Sequence, residues 1–65
     1  MDPQQIFELI VKADEKLKYA TDSNADVRTA QARELLEQAL GAAREAGNDA
    51  LVQQAQTRLT DLGDV

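Results

Sequence analysis

The run Asp22-Ser23-Asn24-Ala25-Asp26 carries side-chain oxygens at the spacing that opens a calcium loop, where successive oxygens converge on one hard cation. The rest of that geometry is missing. Val27 stands where the loop needs a glycine for its sharp turn, and Arg33 stands where a closing bidentate glutamate would bind, so calcium is not expected. The same residue types are those that a turn recruits to cap a helix, and they are read in that role. Tyr19 and the carboxylates could move protons, but acid–base catalysis needs a pocket that shifts a pKa, and nothing in the pattern encloses one. The chain has no His and no Cys, which removes the usual neutral-pH proton shuttle, the thiol nucleophile and the ligands that hold zinc, iron or copper. Gly41, Gly47 and Gly63 form no phosphate-cradling loop and no nucleophile elbow. The expectation is a protein without catalysis, cofactor or metal.

Length and charge narrow the remaining classes. With 65 residues the chain makes one domain, in the size range where roughly 60% of the unfolded surface is buried and stability is thin. Seven Lys plus Arg against twelve Asp plus Glu give a net charge of −5, a field that repels phosphate backbones and anionic headgroups. Neither nucleic acid nor membrane is therefore expected as a partner. The start Met1-Asp2-Pro3-Gln4-Gln5 has no positive charge and no long apolar run before Lys12, which points to a cytoplasmic protein. Ala, Leu, Gln, Glu and Arg dominate, and all favour helix.

Three helices follow from the spacing. Asp2 is placed to cap a first helix with Pro3 in its first turn and Gln5 completing a capping box. Ile6, Leu9, Ile10, Ala13, Leu17 and Ala20 then recur at threes and fours, one stripe of a helix over about residues 3–20. Thr21-Asp22-Ser23-Asn24 reads as a turn, with Ser23 or Asn24 as the next N-cap. A longer helix over about 25–46 presents Ala32, Leu35, Leu36, Ala39, Leu40, Ala42, Ala43 and Ala46 on one broad face, wide enough for neighbours on both sides. Gly47 suits a left-handed stop and Asn48 the cap of a third helix over about 49–62, whose stripe is Leu51, Val52, Ala55, Leu59 and Leu62. Gly63 ends it. Connections this short leave no room for a crossover, so the fold expected is an all-α antiparallel three-helix bundle, a helical hairpin plus a closing helix.

A few residues fall outside this scheme. Phe7 and Val11 lie about a quarter turn or more from the first stripe at roughly 100° per residue; with Tyr19 they are either core, covered by the third helix, or an interface, and core is the first reading. Gly41 sits inside the second helix on its polar face, where it costs about 1 kcal/mol relative to Ala. It is either tolerated there or marks the approach of another backbone beside Ala42. Glu8, Lys12 and Lys16 follow at four-residue steps, as do Arg33 and Glu37, and read as solvated faces.

The small, large, small spacing of Ala32, Leu36 and Ala39 resembles the second helix of a tetratricopeptide repeat, and Arg58-Leu59-Thr60-Asp61-Leu62-Gly63 is similar to the opening helix of a following repeat. Two positions depart from that family. Tyr19-Ala20 stands where a Leu-Gly pair would fall, and Arg44 stands where a Pro often ends the second helix. The resemblance covers about half the chain and implies a capped or self-associating helical unit, since an isolated repeat cannot bury its faces. The functional expectation is a small non-catalytic protein-interaction module that binds a partner helix or its own copy through some of Phe7, Val11, Tyr19, Gly41 and Ala42. The alternative is a purely structural homo-oligomeric bundle with no other ligand.

Overall fold

The computed structural model describes residues 1–63 and contains three helices, α1 (Pro3–Lys18), α2 (Ala25–Ala46) and α3 (Asp49–Asp61). At about 1.5 Å per residue α2 alone spans roughly 33 Å. The Cα trace measures 37 × 23 × 13 Å, so the other two helices fold back alongside α2 and do not extend it. α2 packs against both neighbours, whereas α1 and α3 meet sparingly, which gives a flattened three-helix bundle with α2 in the middle.

Local chemistry fixes the ends. The Asp2 carboxylate accepts from Gln5 N–H at 2.8 Å while the Gln5 side-chain oxygen accepts from Asp2 N–H at 3.1 Å, the reciprocal exchange of a capping box. Gly47 adopts φ +67°, a left-handed conformation that other residues enter at a cost, and so lets the chain reverse in two residues. The Asn48 side chain then accepts from Leu51 N–H at 3.2 Å and starts α3.

The first helix stops at Lys18, two residues short of the expected boundary. The reason lies in the turn. Asn24 Oδ1 accepts from Thr21 N–H at 2.6 Å, so this donor does not continue the helical ladder, and the Leu17 carbonyl accepts from Ala20 N–H at 3.2 Å. Asn24 occupies the N-cap of α2 without bonding that helix through its side chain, because the side chain is turned back into the loop. Ser23 and Thr21 add a hydroxyl contact of 3.1 Å. The oxygen-rich run thus closes its own turn.

The core is a seam of aliphatic side chains. Ile6, Ile10 and Ala13 from α1 meet Ala32, Leu36, Ala39 and Ala43 from α2 and Leu51, Ala55 and Leu59 from α3, all buried. Ala32, Leu36, Ala39 and Ala43 follow at steps of four, three and four along α2; the small alanines permit close approach of the neighbouring helices, and Leu36 fills the middle of the seam. Leu9, Leu17, Leu35, Leu40, Ala42, Val52 and Leu62 pack partly against its edges. Ala46, expected on the broad face of α2, is exposed instead, since it lies at the helix end beside the Gly47 turn. Among the described residues no helix is long and apolar enough to cross a membrane.

Candidate functional site

Phe7, Val11 and Tyr19 are not core. They are 45%, 36% and 61% exposed, which overturns the reading that α3 leans over this flank. The geometry of α1 explains why. Ile6, Ile10, Ala13 and Leu17 form its inward stripe, and Phe7 stands about 100° around the helix from Ile6. Asp14 lies seven residues beyond Phe7, two turns along nearly the same line of α1. α3 reaches that line at Asp14, where Arg58 Nε donates to Oδ1 at 2.9 Å, and leaves Phe7 uncovered.

Positions 7, 11, 15 and 19 follow at four-residue steps, so Phe7, Val11, Glu15 and Tyr19 form a ridge that drifts about 40° per step around α1. Such i±4 ridges are the surfaces that insert into grooves of a neighbouring helix. Two shallow hollows border the ridge. One is lined by Phe7 and Val11 with Gln4, Glu8, Lys12 and Glu15. The other lies between α1 and α2 and is lined by Lys12, Glu15, Lys16, Tyr19, Arg28 and Leu35. Lys12 and Glu15 border both, so the two lie side by side along α1. The Lys18 ammonium lies 5.5 Å from the centre of the Tyr19 ring, a cation–π contact that holds the end of the ridge.

Gly41 and Ala42 belong elsewhere. Neither hollow is lined by them, and among the described residues a Cβ built on Gly41 meets nothing within 4 Å. Ala42 is half-buried at the edge of the seam. Of the five candidate interface residues, then, Phe7, Val11 and Tyr19 share one surface and the other two do not join it.

Lys16, Arg28 and Leu35 were missed as members of this surface. Lys12, likewise read as part of a solvated face, belongs with them; it lies one turn before Lys16 on the same side of α1, with Tyr19 at the helix cap three residues further on, and that spacing was a legible signal. Arg28 and Leu35 come from α2 across the turn, and no spacing within one helix could have joined them to α1.

Every described ionisable side chain is at least partly exposed, and no polar side chain is buried. Among the described residues no three carboxylates converge as a metal-binding group. Chemically the surface offers aliphatic and aromatic contact area beside mobile cations. Comparison with protein-family models, with curated proteins and with solved structures returns no match.

Proposed function

We propose that the chain is a small non-catalytic protein-interaction module of tetratricopeptide-like kind, acting in the cytoplasm by seating a helix of another protein against α1. The observation that carries this reading is the ridge. Phe7 and Val11 remain open to water on a bundle that buries Ile6, Ile10 and Leu36 completely. Phe7 still leaves 45% of its surface in water, and burying the remainder against a folded partner would add about 1 kcal/mol. The tetratricopeptide-like reading rests on the spacing of Ala32, Leu36 and Ala39, and Ala32 and Ala39 are buried in the α2 seam, where small side chains let helices approach.

A second reading keeps the same ridge and changes the occupant. The ten buried side chains include five alanines, a thin core for which self-association adds stability, so a homo-oligomeric bundle that binds nothing else also follows.

Site-directed photocrosslinking separates these readings. Benzophenone placed at Phe7, with Thr57 on the outer face of α3 as the control position, is irradiated in extract of the source cells. The interaction reading expects an adduct with a different protein from position 7 and none from position 57. An adduct between two copies of the chain favours the homo-oligomer, and equal labelling from both positions contradicts both readings.

A further inference from the structure

Charge distinguishes the proposed docking face from the rest of the molecule. The hollow beside Tyr19 and Leu35 gathers Lys12, Lys16 and Arg28 against the one carboxylate of Glu15, and the hollow beside Phe7 and Val11 sets Lys12 beside Glu8 and Glu15. Three of the chain's seven Lys and Arg residues thus line a single trough, on a molecule whose net charge is −5. Along the same helix, Phe7 and Val11 supply apolar anchors one turn apart. Apolar anchors beside a cationic trough are the complement of an amphipathic helix whose apolar stripe is edged by carboxylates.

We infer that the occupant of this face is an acidic amphipathic helix from another chain. Its aliphatic side chains, spaced at i and i+4, pack against Phe7 and Val11, and carboxylates on the adjoining edge pair with Lys12, Lys16 and Arg28. The inference rests on the docking role proposed above and adds the chemistry of the ligand. A two-fold pairing of α1 on α1 brings like charges together when it is centred on Lys12 or on Glu15. Either arrangement also joins two molecules of net charge −5.

The test uses three labelled helical peptides with one identical leucine stripe, edged by Glu, by Gln or by Lys, titrated with the full chain by fluorescence anisotropy at low and high salt. The Glu peptide should bind about tenfold or more tighter than the Gln peptide, the Lys peptide weaker still, and salt should erase the difference. The double variant K12Q/K16Q should lower the Glu peptide to the Gln level while leaving the Gln peptide unchanged, and Phe7→Ala should weaken both. Far-UV circular dichroism of each variant checks that it is folded. Equal binding of all three peptides through Phe7 overturns the acidic ligand and leaves the docking role standing. No peptide binding with Phe7-dependent self-association makes the occupant a second copy and overturns the inference. No peptide binding by a strictly monomeric chain overturns both, and capture by phosphatidylserine vesicles without binding of the Glu peptide assigns the face to a membrane and overturns the inference as well.

Discussion

Arg58 of α3 holds Asp14 of α1, its Nε donating to both carboxylate oxygens at 2.9 and 3.1 Å while its Nη1 donates to the Gln54 carbonyl at 3.2 Å. Two residues 44 positions apart thereby join the helices that touch least. Both side chains are substantially exposed, at 31% and 47%, so the pair orients more than it stabilises. Asp14→Ala should cost about 0.2 to 1 kcal/mol in urea denaturation, with the loss shrinking as salt is raised. A larger, salt-insensitive loss would mean that Asp14 supports the core by another route.

Two glycines in α2 and at its end should respond to the same substitution with opposite signs. Gly47→Ala forces a side chain into φ +67° and should destabilise by about 1 kcal/mol. Gly41→Ala adds a Cβ into open space within a helix and should stabilise by about 0.5 to 1 kcal/mol. Thermal unfolding of the two variants side by side reads the difference directly, and loss of association in Gly41→Ala would show that another backbone approaches there after all.

The helix starts differ in how their caps work. Asp2→Ala breaks the capping box and should cost about 1 kcal/mol, with fraying of the first turn visible in amide exchange. Asn24→Ala removes the 2.6 Å bond to Thr21, so its exchange signature should appear in the turn and at the end of α1, with the first turn of α2 unchanged. Faster exchange confined to Ala25–Arg28 would contradict the assigned direction of the Asn24 side chain.

Sequence and structure agree where the deciding interaction is local. Asp2 with Gln5, and Gly47 with Asn48, are each settled within a few residues, so helix starts and stops could be read from residue type. Asn24 was legible as a cap by position but not by bond, because two nearby donors compete for one oxygen and the turn wins. The exposure of Phe7 and Val11 was not legible. A helical wheel places them beside the core stripe, but whether a neighbour covers them depends on how α3 packs against α1, a contact between residues more than forty positions apart.

Leu36 lies at the centre of the seam with no exposure, and Leu36→Ala should cost about 2 to 5 kcal/mol through lost contact and the cavity left behind. For a domain this small that is a large share of total stability, so loss of the cooperative unfolding transition is the expected outcome. A Leu36→Ala protein that unfolds cooperatively near the wild-type midpoint would place the core elsewhere.

The double variant F7A/V11A, unfolded in urea beside the wild type, tests most directly whether the α1 ridge lies outside the structure that holds the fold together. Two half-exposed side chains on a helix face should together cost no more than about 1 kcal/mol, with the slope of the transition unchanged. A loss of about 3 kcal/mol or more, the range for truncating a buried aromatic, would show that Phe7 and Val11 belong to the core and that no docking face is there to be filled.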